Sequence, residues 1–450
     1  MKKLLLGSTA LVAGGLMAAP AMAADPIKIG VGGYYQFFVI GGQIEGTYAL
    51  NGTSTQYKGI NLMQEGEIHF IGQSKLDNGT TVGLTVELEG WSNSLTSTTV
   101  AGHGRQIDEA FMFAFGDWGR IEFGARDAAT YRMIYGAPSA LLGWGFGQHN
   151  FTWINAVAGA ANKAYFHTTD SAIAGNIGDA NRFSYFTPRF MGLQVGGGYA
   201  PKLNVTAATG PGLAGGVCGT TDATNAGNCP TNDYSWQDMF DVGANYLNKF
   251  GDVTVALYGA YFNATFVPGL QPLAASANLA TGANLTSWMQ WNAGVQFGYA
   301  GFTIGGVVGW DNNGLGANYY TGGDNDTTYL SVGAMYETGP WQLSAGWVGS
   351  RNNNGNGSLS VTAIASGTNA ATVGVAAAAQ TSAASFGQNQ NTGALAFGAE
   401  TAQKFEIGAN YALGPGIKLV GGGVYYVLAG PSNAVASQSW ALMLGMDLRF

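Results

Sequence analysis

The last eleven residues, Trp440 to Phe450, admit very few folds. Trp440, Leu442, Leu444, Met446, Leu448 and Phe450 alternate with Ala441, Met443, Gly445, Asp447 and Arg449. Successive side chains of a β-strand point to opposite sides, so this segment is a strand with one oily face and one polar face. A soluble protein hides such an oily face under a second layer, whereas a transmembrane barrel turns it to lipid. The second solution holds only if the rest of the chain repeats the pattern.

The pattern recurs along the sequence. Val82, Leu84, Val86 and Leu88 oppose Thr81, Gly83, Thr85, Glu87 and Glu89. Val253, Val255, Leu257, Gly259 and Tyr261 oppose Thr254, Ala256 and Tyr258. Trp291, Ala293, Val295, Phe297 and Tyr299 oppose Asn292, Gly294, Gln296 and Gly298, and Phe405, Ile407, Ala409 and Tyr411 oppose Lys404, Glu406, Gly408 and Asn410. About sixteen such segments are expected, each near the roughly 9–11 residues that cross a bilayer as a tilted strand. They fall at 27–39, 64–76, 79–90, 105–116, 119–127, 181–188, 191–200, 236–248, 251–262, 287–299, 301–310, 327–337, 340–349, 402–412, 416–428 and 438–450.

Connections alternate between short and long. Asp77-Asn78-Gly79, Gly116-Asp117-Trp118-Gly119, Phe250-Gly251-Asp252 and Gly414-Pro415-Gly416 carry the residues that tight turns demand. The long connections are 40–63, 91–104, 128–180, 201–235, 263–286, 311–326, 350–401 and 429–437. A meander of hairpins with turns on one membrane side and loops on the other gives this rhythm. The fold class expected is therefore all-β, a transmembrane antiparallel barrel with both termini on the short-turn side. Tyr34, Tyr35, Phe37, Phe38, Tyr261, Phe262, Trp288, Trp291, Tyr299, Trp310, Tyr411, Trp440 and Phe450 gather toward strand ends and read as two interfacial girdles.

Composition agrees. Charged residues are 10% of the chain against the roughly 25% of soluble domains, Gly reaches 72 residues, and mean hydropathy is only +0.08 because the two faces average out. At the N-terminus, Lys2 and Lys3, an apolar run from Leu4 to Met17 and Ala21-Met22-Ala23 before Ala24 have the layout of a secretory signal peptide, so residues 1–23 are expected to be removed. The formal charge of −8 becomes −10 without Lys2 and Lys3, 16 basic against 26 acidic residues. That argues against nucleic acid, which calls for a basic surface. Cys218 and Cys229 lie in a Gly/Thr/Asn-rich stretch. In an exported chain they read as a loop-pinning disulfide, metal binding being the alternative.

These residues resemble the Gram-negative general porins, particularly their alphaproteobacterial branch. The resemblance rests on the signal peptide, on IKIGVGGYYQFF at 27–38, on RQIDEAFMFAFGDWGRIEFGARD at 105–127, on NRFSYFTPRFMGLQVGGGYA at 181–200, and on the strand ending in Phe450. It implies a 16-stranded outer-membrane barrel over residues 24–450, usually a homotrimer, with a third loop folded inward to narrow the pore. It also implies passage of small hydrophilic solutes and ions. Phe450 would then be an anchor in outer-membrane lipid and a recognition signal for the barrel assembly machinery.

In a channel the chemistry is the pore radius and the charges that line it. Alternation places Glu67, His69 and Gln73 inward, opposite in phase to Ile68 and Phe70, followed by Glu87 and Glu89. Arg120, Glu122 and Arg126 point inward against Ile121, Phe123 and Ala125, Arg182 is in phase with Ser184, and Asp241 and Asn245 join them. Arg105 has the parity of Phe111 and Phe113, which points it outward, while resemblance to porin wall arginines makes it a lumen candidate. General porins usually carry acids on the third loop, yet residues 128–169 hold no Asp or Glu; they hold Arg132, Lys163, His149 and His167 among many aromatics. The expectation is a constriction that is aromatic and weakly basic on its loop side, opposed by Glu67, Glu87 and Glu122. The alternative is that the loop aromatics pack it against the wall. The 350–401 stretch, rich in Ala, Asn, Ser, Thr and Gly, reads as a long exposed loop.

No catalytic motif stands out. Gly143-Trp144-Gly145-Phe146-Gly147 lacks the strand-then-helix frame of a nucleotide loop, and four scattered histidines show no metal-ligand spacing. Asp324, Asn325 and Asp326 read as a solvated loop tip, a Ca²⁺ site being the alternative. No cofactor and no metal are called for. A substrate-selective channel on the same fold is the first alternative function, and an outer-membrane enzyme or an adhesin barrel is the second.

Overall fold

The computed structural model describes residues 26–48, 53–90, 107–142, 180–202, 236–266, 283–312, 315–318, 326–352, 388–389, 394–395, 400–429 and 435–450. Sixteen antiparallel strands close into one barrel. In chain order they are β1 Lys28–Tyr48, β2 Thr53–Lys75, β3 Thr81–Glu89, β4 Ile107–Gly116, β5 Gly119–Ala125, β6 Asn181–Phe186, β7 Leu193–Lys202 and β8 Trp236–Phe250. Then follow β9 Val253–Phe266, β10 Trp288–Tyr299, β11 Phe302–Asp311, β12 Thr327–Thr338, β13 Trp341–Asn352, β14 Glu400–Gly414, β15 Ile417–Ala429 and β16 Val435–Arg449. Each strand neighbours the next in sequence, and β16 returns to β1 with Tyr34 opposite Arg449 and Tyr48 opposite Val435. The seam ends in a reciprocal backbone pair: Gly33 N–H donates to the Phe450 carbonyl at 3.0 Å and Phe450 N–H to that of Gly33 at 3.1 Å. Closure leaves no unpaired edge in hydrocarbon, the condition a spanning sheet has to meet.

The alternating faces sort as lipid and bore require. On β16, Leu442 and Leu444 are 59% and 65% exposed, whereas Ala441 and Asp447, on the other face, are buried. On β14, Phe405 and Ile407 are exposed between buried Lys404, Glu406 and Asn410. Moving such charges to the lipid face at mid-depth would cost about 2–4 kcal/mol for Lys or Arg, so register is fixed by the pattern. Exposed aromatics crowd the short-turn rim, where Trp118, Phe190, Phe250, Tyr299, Phe302, Trp341 and Phe450 form one girdle. Phe38, Phe262 and Trp288 do not belong to a girdle. They share the bore-side parity of their strands and are buried.

The first hairpin departs from expectation. The connection placed at 40–63 shrinks to 49–52, because β1 and β2 pair from Lys28↔Gln73 out to Tyr48↔Thr53. The outer part of β2 begins Thr-Ser-Thr-Gln and so lacks an oily face. Hydrophobic periodicity cannot flag such a strand, although pairing of β1 with the extended β16 supports it from the other side. Two further antiparallel pairs, Ala283–Leu285 with Leu315–Asn318 and Gln388–Asn389 with Ala394–Leu395, lie in stretches read as plain loop. The only helical turn among the described residues is a 3-10 turn at Tyr131–Met133, just after β5.

Candidate pore lining

Strands β1 to β6 bring the charged side chains together on the bore face. Tyr34 on β1 donates its hydroxyl to Glu67 Oε1 on β2 at 2.9 Å, and Glu67 Oε2 lies 2.7 Å from His69 Nε2. Across the ladder, His69 is in register with Glu87 and Glu67 with Glu89. Arg126 Nη1 reaches Glu87 Oε1 at 3.3 Å and also pairs with Glu109. On β5, Glu122 accepts from Arg120 Nε at 2.5 Å and from Arg132 at 3.0 and 2.5 Å, with Arg126 Nε 3.7 Å away. The Glu122 side chain is only 2% exposed, while Arg120, Arg126 and Arg132 keep 35%, 20% and 19% of theirs open. The carboxylate is thus the hidden centre and the guanidinium edges are what the bore meets.

One inference about phase is reversed. Phe111 and Phe113 were read as lipid-facing, but both are buried on the bore side and Met112 is the exposed neighbour at 65%. The arginines explain the choice. Arg126 stacks over the Phe111 ring at 4.0 Å and Arg120 over the Phe113 ring at 4.6 Å, contacts worth about 0.5–1 kcal/mol at exposed sites. Glycines make room for the rings, since a methyl group on Gly83 would meet the Phe113 ring at 2.5 Å. Arg105, whose orientation was argued from these phenylalanines, lies outside the described residues. Glu109 shares their parity and was missed for that reason. A carboxylate on a face assigned to lipid was the signal that could have found it.

The chain leaving β5 runs along the inner wall. Asp127 N–H donates to Glu109 Oε1 at 2.8 Å, Thr130 N–H to Asp241 Oδ2 on β8 at 3.0 Å, and the Tyr258 hydroxyl on β9 to the Thr130 carbonyl at 3.1 Å. Asn245 Nδ2 on β8 donates to the Met133 carbonyl and Gln296 Nε2 on β10 to that of Gly136, at 3.0 and 2.7 Å. Further on, Ala140 N–H donates to Ser344 Oγ on β13 at 2.8 Å and Asn410 Nδ2 on β14 to the Ala140 carbonyl at 2.9 Å. The docking strands present small residues where the backbone lands. A methyl group on Gly294 would collide with the Tyr135 carbonyl, one on Gly305 would sit 2.7 Å from that of Gly136, and one on Gly408 would sit 2.8 Å from Leu141 N. Side chains fill the seam. Ala128 and Tyr131 pack with Met239, Phe262 and Trp288, and Ala129 and Met133 with Phe186 and Tyr258, joined by Ile134 and Tyr135.

Tyr131 and Tyr135 therefore pack the loop onto the wall, the alternative weighed for its aromatics. Arg182 is on the inner face but buried, 3.3 Å from Asp241, the residue that also holds Thr130. It anchors the docking strand and does not face open bore. Glu67, Glu87, Glu122, Arg126 and Arg132 form one connected cluster with His69 and Glu109. Cys218, Cys229, Lys163, His149 and His167 lie outside the described residues, as do residues 1–25, where the signal peptide is expected.

Sequence comparison places the chain. The family model for Gram-negative porins matches residues 7–427, and no curated relative matches the chain. Among solved structures, an anion-selective porin from Comamonas acidovorans is 14% identical, covering 94% of this chain and all of its own, with a TM-score of 0.48. A loop-deletion mutant of OmpT, an outer membrane protein of Vibrio cholerae, is 11% identical over 95% of this chain and all of its own, TM-score 0.48. A mutant of the Rhodobacter blastica porin is 16% identical over 94% and 100% of the two chains, TM-score 0.44. Family and fold are those of a channel rather than an enzyme. The chain belongs to the Gram-negative porins and is an outer-membrane transmembrane β-barrel.

Proposed function

We propose that this porin is a passive diffusion pore for small hydrophilic solutes and ions, narrowed by the segment that follows β5. The observation that carries this reading is the docking of residues 127–142 along the inner wall, fixed by hydrogen bonds to β8, β9, β10, β13 and β14. Sieving then follows from the width left between this segment and the β1–β6 wall. Selectivity follows from the lining: Arg120 and Arg132 share Glu122 while Arg126 pairs with Glu87 and Glu109, so three arginines face three carboxylates and a weak ion preference is expected.

Liposome swelling across a graded series of neutral sugars tests the reading. A smooth fall of rate with solute size is the expected result. Saturation by a single solute would instead assign a substrate-selective channel, and absence of conductance in planar bilayers would assign an adhesin-type barrel. Removal of residues 1–23, a homotrimer in outer-membrane lipid and use of Phe450 by the assembly machinery complete the proposal. Deleting Phe450 removes the backbone pair with Gly33 and is expected to lower insertion well before it alters unitary conductance. Unchanged insertion would remove that role.

A further inference from the structure

We infer that Glu67, His69 and Glu87 form a binding site for a divalent cation of the zinc type on the bore wall. One ligand atom from each lies within 4.8 Å of the other two. Glu67 and His69 are two residues apart on β2 and so share the bore face, and Glu87 stands directly across the ladder from His69. The sequence could not show this set, because its third member comes from the next strand and not from any spacing around a histidine.

The orientation of the carboxylates argues for more than an ion pair. Tyr34 holds Oε1 of Glu67 at 2.9 Å, which turns Oε2 toward His69 Nε2 at 2.7 Å. Arg126 holds Oε1 of Glu87 at 3.3 Å, which leaves Oε2 as the oxygen facing His69, at 3.9 Å. Each acid thus has one oxygen fixed by an outer partner and the other aimed at a common point. The Tyr34 and His69 rings also stand in a T-shaped pair, their centroids 6.4 Å apart and their planes at 86°. Such outer partners orient metal ligands and govern affinity by about 10–100-fold.

Distances and charge fit the same ion. Zinc bonds of about 2.0–2.2 Å to nitrogen and oxygen place neighbouring tetrahedral ligands about 3.3 Å apart, and the observed 2.7 and 3.9 Å bracket that spacing. One imidazole with two carboxylates neutralises a 2+ ion, and a mixed nitrogen–oxygen set favours zinc over magnesium. Three protein ligands leave a fourth position to water, so exchange with the bore is open. All three side chains keep access to it, at 15%, 26% and 12% exposure. Arg126 is itself held by Glu109 and Glu122, so it can keep Oε1 of Glu87 while Oε2 meets the ion.

Zinc chloride titrated into the detergent-refolded protein by calorimetry, and added to single channels in planar bilayers, tests the site. Micromolar zinc is expected to bind one ion per chain and to lower conductance, with recovery on adding EDTA. Magnesium at the same concentration is expected to leave conductance unchanged. His69→Ala should weaken zinc at least tenfold. Glu67→Gln, which keeps an oxygen for Tyr34, should also weaken it. No zinc heat in the wild type, equal effects of magnesium, or unaltered zinc affinity in both variants would overturn the assignment. Conductance in EDTA reports on the diffusion pore independently of the metal.

Discussion

The two walls that flank the bore are built by opposite means. From β1 to β6 the inner face is crowded with full-sized ionisable and aromatic groups, centred on Glu122 and stacked on Phe111 and Phe113. From β10 to β14 it offers glycines, serines and amides on which a backbone lies directly. On the proposed reading, the first wall presents charge to passing solutes and the second holds in place the segment that narrows the bore. That reading assigns selectivity and width to different strands, and mutation can separate them.

The largest expected effect is on the charged wall. Glu122→Gln leaves three guanidiniums around a neutral group. Removing one partner of a buried pair costs about 3–5 kcal/mol in a dry interior, and less here because the arginines remain partly open to the bore. The reversal potential in a salt gradient should move clearly toward anions while swelling rates change little. A pure change of swelling rate would break the division of labour.

On the other wall, Gly294→Val drives a side chain into the Tyr135 carbonyl. Unitary conductance is expected to rise by tens of per cent with an unchanged reversal potential, as the segment lifts. If selectivity shifts as much as conductance, the walls are not independent. Arg132→Ala straddles the two, since Arg132 belongs to the segment and pairs with the opposite wall. A moderate shift toward cations is expected, and strong cation selectivity in both wild type and variant would remove the loop-side basic role. Gln296→Ala removes one hydrogen bond to Gly136, worth about 0.5–1.5 kcal/mol. It should do no more than raise open-channel noise, and a conductance change as large as that of Gly294→Val would count against the glycine track.

Legibility in the sequence followed the same division. Strand number, the seam and the side taken by Glu67, Glu87 and Glu122 could be read because period two is a local pattern, as in Leu84 against Glu87 or Phe405 against Glu406. Glu67, Glu122, Arg126 and Arg182 took their side from it. What could not be read depends on partners far away in sequence. The phase of β4 failed because Phe111 and Phe113 share a face with Glu109, whose carboxylate belongs in the bore, where Arg126 and Arg120 stack on the two rings. The landing glycines carried no signal, because a glycine in a strand looks alike whether it faces lipid, water or another backbone. Arg182 lies on the inner side but is buried against Asp241, and nothing local announces that Thr130 docks on the same carboxylate.

The path of residues 127–142 has a mechanical consequence. Ladder bonds join each strand only to its neighbours, so a sixteen-strand tube can ovalise by small hinge motions along every edge. A segment that crosses the staves from β8 to β14 and bonds to several of them acts as a hoop fitted inside a cask. Flattening the tube has to stretch or slide that hoop, so lateral tension in the membrane and the free width of the bore become coupled quantities.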